Sequence, residues 1–141
     1  MWKKPDFHKS LSDEIKDAET DANFLISILE EVTNEYAWYL DLKTQLIYES
    51  RGIKKMYGHP EDNPPLPYEE FLKNLTILDY QDEVEKQKIK VIHQQKEAIF
   101  HLNAMVQNTG ETIKVRILAR PHLENGEVVG IYGTDRLLEK L

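Results

Sequence analysis

Three strand-like runs in a row close this sequence, and they limit its fold more than any other feature. The runs F-H-L-N-A-M-V-Q, T-I-K-V-R-I-L-A-R-P and V-V-G-I-Y-G-T fall within 100–134 and are separated by the turn sequences N-T-G-E and E-N-G-E. Apolar and polar residues alternate along them, the two-residue period of a sheet with one buried face. Phe100, Leu102, Ala104 and Val106 share one face of the first run; Ile113, Val115, Ile117 and Ala119 share one face of the second. The pattern predicts an antiparallel three-stranded meander.

Two further strands precede it. A-W-Y-L-D and Q-L-I-Y-E-S, within 37–50, read as a hairpin around Leu42-Lys43-Thr44, with Trp38 and Leu40 on one face and Ala37, Tyr39 and Asp41 on the other. Between the hairpin and the meander the sequence is helical. Arg51 to Tyr57 reads as a short helix ended by Gly58, a left-handed cap. The stretch 59–67 holds four of the six prolines and is expected to be loop. Helices follow at 68–75 and from a break at Leu78-Asp79-Tyr80-Gln81-Asp82 to about 96, the second capped by Asp82 with Val84, Ile89, Val91 and Ile92 inward.

The stretch 8–35 reads as one long helix, about 40 Å at 1.5 Å per residue. Leu11, Ile15, Ala18, Ala22, Leu25, Leu29, Val32 and Tyr36 are spaced by alternating fours and threes, the seam of a coiled coil. A helix laid on the chain's own sheet accounts for the spacing equally well. The resulting order is α+β: a long helix, two strands, short helices, a longer helix, then three strands, satisfied by a five-stranded antiparallel sheet with helices on one face.

Composition excludes several function classes. The 141 residues fit one domain, and the net charge of −7 argues against a nucleic-acid partner, which needs clustered Lys and Arg. With no cysteine, disulfides and thiolate chemistry are absent. No apolar run reaches the roughly 20 residues of a membrane span, so no membrane contact is expected and the location reads as cytoplasmic. The five histidines show no metal-ligand spacing such as H-E-x-x-H. His93 is expected on the surface of its helix and His101 on the outward face of its strand. No glycine-rich nucleotide cradle appears. Asp79 and Asp82 read as turn and cap residues, and no catalytic set is visible.

The ordered set W-Y-L-D-L, I-Y-E-S, Y-G-H-P-E-D, L-D-Y-Q-D, N-T-G-E and E-N-G-E-V-V-G-I-Y-G-T resembles a PAS domain, the sensor module of many signalling proteins. The resemblance implies a helical extension over 1–35, a PAS-like domain with PAC-type closing strands over 36–136, and the start of a linker helix at 137–141. Two features depart from it. Asp135 stands about two places earlier than the family's closing aspartate, and Lys114-Val115 stand where members often carry a tryptophan.

It further implies a non-enzymatic sensory module of a larger signalling protein, such as a two-component system. An effector of kinase or cyclase type would act in cis or in trans. A ligand would lie between the sheet and the helices, against Trp38, Ile47, Ile53, Met56, Leu75, Ile92, Leu102, Ala104, Val115, Ile117 and Ile131; the same residues serve a solid core equally well. With no cysteine and His93 off the inner face, no haem, flavin or metal is expected; an unknown small molecule stays open.

The outward sheet face carries Tyr39, Tyr48, Met105, Leu118 and Tyr132, too apolar to stay bare. A homodimer is expected, with Leu25, Leu29, Val32, Tyr36, Tyr39, Met105, Leu118 and Tyr132 in its interface. The alternatives are a ligand-free dimerisation adaptor and a small enzyme or binding protein of unrelated α+β fold.

Overall fold

The computed structural model describes residues 11–75 and 81–141, with side chains from 21 to 73 and from 82 to 141. Leu11, Ile15 and Ala18 of the expected seam, the pocket candidate Leu75 and the break at 78–80 therefore lie outside the described side chains or residues. The chain divides into two compact units, 1–34 and 35–141.

The first unit is helix α1, Leu11–Thr33. It ends two residues before the expected limit at 35. Asn34 takes a left-handed φ of 55°, and its N–H donates to the Glu30 carbonyl at 2.8 Å. This is a one-bond helix stop of the kind Asn tolerates. Tyr36, the last expected seam residue, is instead the first residue of a strand and packs on the domain core. No helix among the described residues is long and apolar enough to cross a membrane.

The second unit runs β1 (Tyr36–Asp41), β2 (Leu46–Glu49), α2 (Arg51–Tyr57), β3 (Leu66–Pro67), α3 (Tyr68–Leu75), α4 (Gln81–Gln94), β4 (Ala98–Met105), β5 (Thr112–Glu124) and β6 (Glu127–Lys140). Among the described residues the strands form one antiparallel sheet in the order β3-β2-β1-β6-β5-β4. The α+β prediction holds, with six strands rather than five. The extra strand is β3: Leu66 and Pro67 pair with Ile47 and Leu46 at the sheet edge. Proline is tolerated there because an edge residue can do without an N–H in the ladder.

The turns explain the pairings. Asn125 and Gly126 both have positive φ, 52° and 81°, between the paired residues Glu124 and Glu127. That is the two-residue turn whose twist suits a hairpin. Asp41 folds the first hairpin by accepting from the Lys43 N–H at 2.8 Å. Ser50 caps α2 by accepting from the Ile53 N–H at 3.2 Å. Gly58 ends α2 at φ 72°.

Two further expectations are corrected. Residues 137–141, read as the start of a linker helix, continue β6 through Lys140, opposite Ile113 and Lys114 of β5. Asp82 lies inside the first turn of α4 rather than capping it, and Ile89 is 55% exposed rather than inward.

The core lies between the inner sheet face and helices α2 to α4. Leu40, Ile53, Tyr57, Val91, Leu102 and Val115 are its fully buried large side chains. Gly133 of β6 leaves no room for a side chain. Trp38 pairs with Gly133, and a Cβ there would overlap the Leu118 carbonyl oxygen and lie 2.7 Å from Trp38 Cζ2.

Candidate functional site

Between the inner sheet face and helices α3 and α4 lies a cavity of about 70 Å³. Its walls are mostly apolar: Trp38 from β1, Phe71 from α3, Val91 from α4, Phe100 from β4 and Ile117 from β5. Gln87, Lys88 and Asp135 supply its polar groups. Lys88 Nζ lies 4.2 Å from the centroid of the Tyr68 ring, so its charge rests on an aromatic face. The volume is small against some 300–1,000 Å³ for sites that hold drug-sized ligands.

Of the side chains expected around a ligand, Trp38, Ile47, Ile117 and Ile131 line this cavity. Ile53, Leu102, Ala104 and Val115 fill the solid core, and Met56 and Ile92 pack against it half-buried. The sequence reading did not single out Tyr68, Phe71, Val84 or Phe100 for the wall, although Phe100 was placed on the inward face.

A buried polar cluster adjoins the cavity, and sequence reasoning missed it. Asp135 is 2% exposed. Its Oδ1 accepts from Trp38 Nε1 at 2.8 Å, and its Oδ2 accepts from the Tyr57 hydroxyl at 2.6 Å. Burial pushes the Asp135 carboxyl up to about 7, against the pull of these two donors, and the charges of Glu49 and Glu35 push the same way. Burial, with Asp135 beside it, also holds the Tyr57 phenol well above its ordinary value.

Next to them His59 donates Nδ1–H to both oxygens of Glu49, at 2.8 and 3.1 Å, with both side chains almost wholly buried. The carboxylate partner fixes the proton on Nδ1. His59 Nε2 is buried without a hydrogen-bond partner among the described residues. Rings of Tyr57, His59 and Phe71 stand 6.2 to 6.4 Å apart and tie the cluster to the cavity wall. One signal in the sequence pointed here: alternation from Ile131 through Gly133 puts Asp135 on the inner face.

On the outer sheet face Tyr48, Met105 and Tyr132 are exposed, while Tyr39 and Leu118 are half-buried. The Tyr39 hydroxyl shares a hydrogen bond with His122 Nδ1 at 2.8 Å. His93 and His101 are both exposed. Along α1, Leu25, Leu29 and Val32 are exposed, and so are Phe24, Ile26 and Ile28, which the seam spacing leaves out.

The groups present can hold a very small apolar guest and can bind or release a proton in the interior. Among the described residues no cluster of three or more His, Asp or Glu is placed to hold a metal.

No protein-family model matches the sequence, and no curated protein sequence matches it. Solved structures do match the fold. A sensory box histidine kinase/response regulator from Burkholderia thailandensis superposes with a TM-score of 0.66 at 13% identity, over 79% of this chain and 82% of that one. The N-terminal domain of a diguanylate cyclase with PAS/PAC sensor, from Marinobacter aquaeolei, gives 0.61 at 16% identity, over 72% and 92%. A light-oxygen-voltage domain studied with a flavin analogue gives 0.63 at 13% identity, over 79% and 82%. The fold of this chain is the PAS fold.

Proposed function

We propose that this chain is a non-catalytic sensory module that works in the cytoplasm as a homodimer and controls an effector of kinase or cyclase type, in cis or in trans. The observation that carries the reading is the PAS fold itself, shared with sensor segments named for a histidine kinase and a diguanylate cyclase. The interior supports signalling by small packing shifts: it holds a buried polar cluster around Asp135 beside a small cavity.

The cavity favours a stimulus smaller than a cofactor. A flavin, as studied in the light-oxygen-voltage relative, does not fit about 70 Å³ with α3 and α4 where they are. That size also favours the second reading, a dimerisation adaptor with a filled interior. In both readings α1 supplies the dimer contact. The exposed Leu25, Leu29 and Val32, with Phe24 and Ile28 beside them, form an apolar surface that a second copy would bury.

Native mass spectrometry of freshly purified full chain tests this. A dimer is expected, and removal of residues 1–34 should leave a monomeric domain. A full chain that stays monomeric at ordinary working concentrations overturns the dimer reading. A retained ligand mass separates the sensor from the adaptor.

A further inference from the structure

Around one register pair of β1 and β6, Tyr36 opposite Asp135, charged groups stand on both faces of the sheet. On the inner face, Asp135 accepts from Trp38 and Tyr57 and forms no ion pair among the described residues. On the outer face, the residues on either side of Asp135 hold Glu35. Thr134 Oγ1 donates to Glu35 Oε2 at 2.7 Å, Arg136 Nε lies 3.1 Å from Oε1, and Arg116 Nη2 donates to the same oxygen. Glu35 is the first residue after Asn34, the left-handed residue that closes α1.

We propose that Asp135 is a proton-operated switch: loss of one proton from its carboxyl to bulk water acts through β6 to loosen the Glu35 clamp where the chain leaves α1, which makes proton activity the stimulus of the module.

The reasoning is steric and electrostatic. The donors from Trp38 and Tyr57 suit the ionised acid, but the interior around them is otherwise mostly apolar and opposes the charge. A carboxylate there faces Trp38 on β1, Tyr57 on α2, the Glu49–His59 pair of β2 and the α2 exit, and Tyr68 on α3, which donates to Glu85 of α4. The cation on the cavity wall, Lys88 of α4, is engaged with the Tyr68 ring. The new charge therefore has two hydrogen bonds but no cation paired with it among the described residues, and the proposed relief is a shift of the strand. Asp135 cannot move without its neighbours Thr134 and Arg136, and both grip Glu35. Like charge adds to the effect, since the charge of Glu35 disfavours ionisation of Asp135. Coupling of this kind is reciprocal: whatever loosens the clamp also changes the proton affinity of Asp135. Burial has already moved the carboxyl to about 7, where small changes in proton activity alter its charge.

The proposal names the stimulus for the sensory reading and rests on that reading for its purpose. Its test is a nitrogen-15 NMR titration of the full chain from about pH 5.5 to about pH 8.5, a window centred on the Asp135 midpoint. The Trp38 indole N–H, the Glu35 amide and the Arg136 Nε–H should shift together with one midpoint near 7. Asp135→Asn should abolish all three shifts. Glu35→Gln should keep the Trp38 shift with its midpoint lowered, because a charge that disfavours ionisation is gone.

A flat Trp38 signal overturns the proposal. So does a Trp38 titration that leaves Glu35 and Arg136 unmoved, or one that survives Asp135→Asn and so belongs to another group. If the Asn variant does not fold, the side-chain carboxyl carbon of Asp135 in the unaltered protein reads the same midpoint directly. A flat titration leaves the truncation result for the dimer untouched, and a monomeric full chain leaves the titration untouched.

Discussion

Tyr57→Phe removes one oxygen and leaves the ring packing in place, so it isolates the bond to Asp135. The Tyr57 hydroxyl donates to Oδ2 at 2.6 Å in a fully buried setting. That bond favours the ionised acid, so its worth depends on pH. When Asp135 is charged, a hydrogen bond to it contributes about 1.5–3 kcal/mol; when it is neutral, about 0.5–1.5 kcal/mol. The sign for Asp135 itself follows from linkage. Its carboxyl is raised from 3.8 to about 7 on folding, so the folded chain holds a proton that the unfolded chain has lost. Stability from this group is therefore fully present below about pH 4 and is lost as pH rises through about 7, by some 4 kcal/mol in all at ~1.4 kcal/mol per pH unit. Tyr57→Phe pushes the carboxyl still higher. The loss of stability on substitution should thus be small at pH 5 and rise by about 1 kcal/mol or more by pH 9. Urea unfolding of both proteins at five pH values between these limits measures it, with the slopes checked for equality. A loss that is equal at both ends, or larger in acid, would show that Asp135 keeps one charge state throughout, and the reasoning would fail.

Two further outcomes are expected. Leu102→Ala, at a position 1% exposed, should lower unfolding free energy by about 2–5 kcal/mol, whereas Ile99→Ala, 58% exposed on the same strand, should change it by under about 0.5 kcal/mol; equal losses in the denaturation midpoints would contradict the assigned faces of β4. Gly133→Ala places a methyl against the Leu118 carbonyl and the Trp38 ring. It should destabilise by about 3 kcal/mol or more, or prevent folding; an unchanged thermal midpoint would mean the packing around Gly133 is looser than described.

The meander was legible because alternation runs through most of β4 and β5 and its Asn125-Gly126 turn admits few backbones. The α2 cap was legible for the same kind of reason: Gly58 stands where a left-handed φ is needed. Strand β3 was hidden because Pro64, Pro65 and Pro67 read as loop, and two residues at an edge carry no periodicity. The closing Arg136-Leu137-Leu138-Glu139 has the composition of a helix. Pairing with the long arm of β5 overrides that preference, as tertiary contacts often do for short segments. Tyr36 fits a heptad by spacing alone, but Asn34 stops the helix two residues before it. For the site, the inward position of Asp135 could be counted from Ile131. That its partners would be Trp38 and Tyr57, 97 and 78 residues away in sequence, depends on how β1 and α2 meet β6, which no local pattern encodes.

The β1–β6 seam has a consequence for how the domain assembles and comes apart. The β1–β2 hairpin and the β4–β5–β6 meander join neighbours in sequence, so each can form early and locally. The seam pairs residues 36–41 with residues 130–135, and the intervening chain must be gathered before it closes, which makes it a late and rate-setting event. Its two glycines, Gly130 and Gly133, leave room for Tyr39 and Trp38 to lie across the joint. The joint is thus a natural fault line between two cooperative blocks. When it opens, the indole leaves Asp135 and the buried acid meets water, so opening along this line is one route by which that single proton exchanges with solvent.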